Sequence, residues 1–122
     1  MPGFSDRSLE HLATLDPRLQ AVLEKAIRRY DFAIICGHRG KDDQDKAVRE
    51  GRSKLKFPLS KHNQLPSLAV DVAPYPIDWK DIGRFKDLAC VILETACRES
   101  IPLAWGGNWK SFKDYPHFEI PT

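Results

Sequence analysis

Leu68-Ala69-Val70-Asp71-Val72-Ala73 is a short apolar run with a single carboxylate at its centre. Side chains of a strand alternate between its two faces, so Leu68, Val70 and Val72 take one side and Ala69, Asp71 and Ala73 the other. An ionised carboxylate is seldom buried without a partner. Asp71 therefore calls for a cation, and the two alanines beside it leave room for one.

Outward from this run, residues 32–36 form a second apolar, β-branched stretch ended by Gly37, which reads as a buried strand with Arg39 just beyond it. Asp16 as N-cap and Pro17 at the first helical position open a helix whose stripe is Leu19, Val22, Leu23, Ala26, Ile27 and Tyr30. A weaker helix begins near Ser5 and carries Leu9 and Leu12. Residues 42–50 read as helix with Gly51 as the stop, and residues 81–100 as a second strong helix burying Phe85, Leu88, Ala89, Ile92, Leu93 and Ala96. Residues 52–67, polar and holding two prolines, read as a long loop of the kind that often carries function. Short strands near Leu103 and at residues 117–120 complete an α+β chain, with helices packed on one face of a small antiparallel sheet.

The 122 residues suffice for one core and one active site, so a single domain, 1–122, is expected. Composition is that of an ordinary globular protein, and no apolar run approaches a membrane span. Neither membrane insertion nor a secretory signal is expected. Cys36, Cys90 and Cys97 lack paired spacing and are expected reduced and buried, with Cys90 and Cys97 sharing a helix face near Phe85 and Leu93. Net charge is only +2, but basic residues outnumber acidic ones about two to one between positions 39 and 61. Such a stretch is either a solvated loop or attraction to an anionic polymer such as cell wall. Nucleic acid is not the expected partner, because aromatic residues are sparse there.

Four groups stand apart from the scaffold: Arg39; Ser60-Lys61-His62 with Asp71; Asp114-Tyr115-Pro116-His117; and Glu119. His117 and Glu119 lie two apart in a strand, so both face one side while Phe118 faces the core. Two imidazoles and a carboxylate suit zinc and leave its fourth position open, the mark of a catalytic site, where bound water has a pKa of about 7. Such chemistry needs a second carboxylate as proton shuttle, and Asp114 is the candidate, with a turn-forming role before Pro116 as its alternative. Glu119 is a candidate to orient a ligand histidine. Arg39 either forms surface ion pairs with its acidic neighbours or, if it abuts the metal, binds the substrate carbonyl or carboxylate.

Ser60-Lys61-His62 with Ala69-Val70-Asp71, the closing Asp114-Tyr115-Pro116-His117-Phe118-Glu119, the preceding Trp105-Gly106-Gly107, Gly37-His38-Arg39 and Gln44 together resemble the zinc D-alanyl-D-alanine carboxypeptidase and L-alanyl-D-glutamate endopeptidase family, which includes vancomycin-resistance peptidases and phage endolysins. The resemblance implies a Hedgehog/DD-peptidase-like fold, one catalytic zinc on His62, Asp71 and His117, Asp114 as general base and acid, and Arg39 at the substrate. Ser60, Gln44, Glu119 and Trp105 follow as substrate-binding or supporting residues. The step from His62 to Asp71 is longer than in many members and contains Pro66-Ser67, a form similar to a phage-associated subgroup. Asp rather than Glu at position 114 is similar to the endolysin-type endopeptidases. The implied function is an L-alanyl-D-glutamate endopeptidase acting on peptidoglycan as a monomeric endolysin, held in the host cytoplasm until lysis. The alternatives are a D-alanyl-D-alanine carboxypeptidase or dipeptidase, and a zinc-stabilised wall-binding or virion module without activity.

Overall fold

The computed structural model describes residues 3–121. Four helices, α1 (Asp6–Leu12), α2 (Pro17–Ala26), α3 (Lys41–Arg49) and α4 (Ile82–Arg98), accompany four strands, β1 (Phe32–Cys36), β2 (Ala69–Pro74), β3 (Ala104–Trp105) and β4 (His117–Glu119). Single 3-10 turns lie at Lys61–Asn63 and Gly106–Asn108. The sheet runs β1-β2-β4-β3 with every pair antiparallel, the α+β arrangement expected.

Local signals explain the elements. Ser5 accepts from the Ser8 amide and Asp16 from the Arg18 amide, so both N-terminal helices start on a side-chain cap. Helices α2 and α4 turn Leu19, Val22, Leu23, Leu88, Ile92 and Ala96 toward one core, where Phe32, Ile34, Val70, Val72 and Phe118 meet them from the sheet. Helix α3 differs, burying only Gln44 and Ala47. It docks through polar contacts instead of an apolar stripe.

Strand β2 is central, and its register decides the rest. Asp71 sits opposite His117 on β4 and opposite Cys36 on β1, and the β1 ladder shifts between Ile34 and Cys36. An irregularity of this kind re-aims the chain beyond it. Gly37 to Arg39 emerges there. Residues 52–67 are less free than a plain loop: the Ser67 amide donates to the Thr14 carbonyl, and the Asp16 amide to the Ser67 carbonyl, making a parallel bridge between Leu15 and Ser67. The residues that lengthen the His62–Asp71 step are thus stitched to the α1–α2 junction.

One expectation is corrected. Cys90 and Cys97 share a face of α4, but both are exposed, and Cys36 is only partly buried. At about 100° per residue, positions 90 and 97 fall well round the helix from the stripe through Phe85, Ala89, Ile92 and Ala96. Their spacing of seven fixes a shared face without fixing which one. Leu93, expected in the core, is partly buried at its edge.

Candidate metal centre

Three side chains converge where the sheet leaves the helical core. His62 reaches in from the 3-10 turn capped by Ser60, whose hydroxyl accepts from the His62 amide. Asp71 Oδ1 lies 3.3 Å from His62 Nε2 and 3.1 Å from His117 Nδ1, and a ligand atom from each residue lies within 4.8 Å of the others. His62 and His117 are buried.

The imidazole tautomers are set by their outer partners. His62 Nδ1 donates to the Gly37 carbonyl at 2.8 Å, which can only accept, so Nε2 is the atom turned to Asp71. His117 Nε2 donates to Glu119 Oε1 at 2.8 Å, leaving Nδ1 for the centre. Lys61 then holds Glu119, its ammonium 2.8 Å from Oε2 and donating also to the Ile120 carbonyl. These are the outer contacts that orient metal-bound histidines.

The residues present fit a metal ion on two grounds internal to the structure. His62 Nε2 is fully buried and has no hydrogen-bond partner, which is costly unless a cation takes up its lone pair. The donor set, two nitrogens and one carboxylate, is that of an open catalytic zinc site. Electrostatics agree. Burial alone would lower the His62 pKa, but the Asp71 charge overrides it and raises the imidazole well above its ordinary value. Burial would likewise push Asp71 up, yet the His62 charge and the hydrogen bond from His117 hold it well below the usual carboxylate range. Such a cluster draws in positive charge, for which protons and metal compete.

Asp114 Oδ2 lies 3.9 Å from His117 Nδ1. Burial, then the nearby Asp71 charge, pushes its carboxyl up to about 6. Its turn is clamped from behind: the Asp114 amide donates to the Gly106 carbonyl, and Trp105 Nε1 donates to the Tyr115 carbonyl. A Cβ on Gly106 would fall 2.3 Å from the Asp114 carbonyl oxygen, so only glycine permits the approach. Trp105 stacks on Phe118 and supports this turn from outside the cleft, whereas Trp109 lines the cleft with its ring 5.1 Å from that of His117.

Arg39 is buried, its Nη2 3.6 Å from Asp71 Oδ2 and its Nη1 donating to Gln44 Oε1 at 2.9 Å. Its alternative as a surface ion-pair former is not what the structure shows. Gln44 is completely buried. Its oxygen accepts from Arg39 and Asn63, and its nitrogen donates to Ser53 Oγ at 2.9 Å and the Leu55 carbonyl at 2.6 Å. Asn63 in turn donates to the Arg39 carbonyl. The roles of Lys61 and Asn63 escaped sequence reasoning, because their partners lie far away in the chain.

A cleft of about 930 Å³ opens over the three convergent side chains, walled by residues 52–55, by Trp109 and residues 112–114, and by Trp79. Among the described residues no helix is long and apolar enough to cross a membrane.

Residues 2–121 match the phage L-alanyl-D-glutamate peptidase family. The chain is 34% identical over 122 residues to the L-alanyl-D-glutamate peptidase of Escherichia phage T5, covering 96% of this chain and 88% of that protein. It is 30% identical over 103 residues to the peptidoglycan L-alanyl-D-glutamate endopeptidase CwlK of Bacillus subtilis, covering 74% of this chain and 60% of that one. The crystal structure of the Serratia marcescens L-Ala D-Glu endopeptidase ChiX superposes with a TM-score of 0.83 at 32% identity, covering 97% of this chain and 89% of that chain.

Proposed function

The chain belongs to the phage L-alanyl-D-glutamate peptidase family, and from that premise we propose that it is a zinc endopeptidase cutting the amide between L-alanine and D-glutamate in peptidoglycan, in the role of an endolysin. The observation that carries the metal assignment is the buried, partnerless His62 Nε2 facing Asp71 and His117. Bound there, zinc supplies a Lewis acid for the scissile carbonyl and brings the pKa of water near 7.

The chain's own residues do the rest. Asp114, raised toward neutrality, takes a proton from the attacking water and passes it to the leaving amine as the C–N bond breaks and the C–O bond forms. Lys61 and Glu119 keep His117 Nδ1 turned inward. Arg39 steadies Asp71 from its Oδ2 side and, lining the cleft, lies where charge develops on the carbonyl oxygen. Ser60 contributes by capping the His62 turn, Gln44 by holding Arg39, and Trp105 by bracing the Asp114 turn.

Mass spectrometry of purified peptidoglycan after incubation, with and without a chelator, tests this reading. The expected products are whole stem peptides with a new glutamate N-terminus, absent when metal is removed. Release of terminal alanine alone would convert the assignment to a carboxypeptidase, and no product at all would leave a binding module.

A further inference from the structure

Glutamate has two carboxyl groups and a linear peptide uses one, so the residue on the leaving side of an L-alanyl-D-glutamate bond offers a carboxylate beside the scissile amide. A carboxylate drawn into a cleft needs a cation there.

Most cations lining the cleft are already engaged. Arg39 is bound to Gln44 and Asp71, Lys61 to Glu119 and the Ile120 carbonyl, and Lys113 to the Gly107 and Trp109 carbonyls. Arg52 and Lys46 both face Glu50. Among the described residues, Lys54 and Arg7 line the cleft with no acidic or carbonyl partner.

Lys54 is the one held in place. Its ammonium sits 4.8 Å from the centroid of the Phe112 ring, a seat that fixes a cation without neutralising it. Its chain neighbours on both sides, Ser53 and Leu55, are hydrogen-bonded to the buried Gln44 amide, which also grips Arg39 next to Asp71. Phe112, beneath the ammonium, has φ +49°, a left-handed conformation that a bulky residue adopts only under constraint from its surroundings. Arg7, on the short helix α1, has no comparable support.

We propose that Lys54, seated on Phe112 in the lining of the cleft, binds the free carboxylate of the leaving-side glutamate and makes the enzyme selective for stems in which that group is not amidated. The assignment rests on the endopeptidase reading above and adds to it a determinant of specificity. Surface lysines are mobile, and ordering one normally offsets much of what its charge contributes; the anchored backbone and the ring lower that entropy loss.

The test uses two synthetic stem peptides, identical except that the free glutamate carboxyl is either ionised or a primary amide, assayed by release of the leaving peptide. The zinc-loaded wild-type enzyme is expected to favour the ionised peptide about tenfold in kcat/KM, mainly through KM. In Lys54→Met the ratio should collapse toward one, in Lys54→Arg it should persist, and in Arg7→Met it should be unchanged. A preference that survives in Lys54→Met, disappears in Arg7→Met, or is absent from the wild type overturns the assignment while leaving the endopeptidase reading intact. Cleavage of neither peptide overturns both.

Discussion

Asp114 differs from Asp71 and Glu119 in having a pKa that is raised, to about 6, while theirs are held low. A carboxylate easily protonated is suited to carry a proton from water to an amine, and one that is not is suited to hold a cation. Asp114→Asn should lower wall hydrolysis by about 10²- to 10⁴-fold while zinc content, measured by atomic absorption, stays at one per chain. Normal turnover in that variant would remove Asp114 from the chemistry. The wild-type rate should also have an acid limb. The raised pKa means the base is lost as pH falls through it, and a bound cation nearby favours the carboxylate, so the midpoint of kcat/KM should lie above the ordinary 3.8 and at or below about 6.

Helix α3 buries almost no apolar surface, so its place depends on the four hydrogen bonds of Gln44. Gln44→Ala strips partners from Arg39 and Asn63 and from the Leu55 carbonyl, and a net loss of about 2–3 kcal/mol in urea unfolding is expected. Hydrogen exchange should quicken first at residues 53–55. An exchange pattern unchanged there would show that the wall of the cleft is held by something else. This element also marks where reading the sequence stops. The alternation around Asp71 and the stripe of α4 were visible because strand and helix periods translate directly into faces. In α3 only Ala47 and Val48 are apolar, which makes no stripe, and nothing along residues 41–49 says that a glutamine turns inward. The same holds for Cys90 and Cys97, whose spacing was legible but whose exposure depended on the helix phase, and for Lys61, whose partners Glu119 and Ile120 lie at the far end of the chain.

For the molecule as a whole, the centre draws ligands from a 3-10 turn, the central strand and a neighbouring strand, so an ion bound there ties together segments that unfolding separates. Free zinc at about 100 times its Kd should add roughly 2.7 kcal/mol, a rise in Tm of roughly 10 °C for a chain of this size. Scanning calorimetry of chelator-treated and zinc-loaded protein, with His62→Ala as reference, checks it; a wild-type Tm indifferent to zinc would remove the proposed centre. The motifs around His62, Asp71 and His117 singled out these residues, whereas the tautomers that aim them depended on Gly37 and Glu119 meeting them in space. The pairing of Ser67 with Thr14 and Asp16 has a practical corollary for anyone seeking a minimal unit that keeps the cleft. A truncation that starts at Pro17 spares every residue of the cleft except Arg7 and His11, yet it cuts the tether from the segment that presents His62. Shortening from that end should therefore loosen the hold on the ion and strand β1 together, since the Ile34 amide donates to Ser8 Oγ and Leu12 and Leu15 pack in the core, and fusion partners are better joined at Gly3, where a side chain would meet open space.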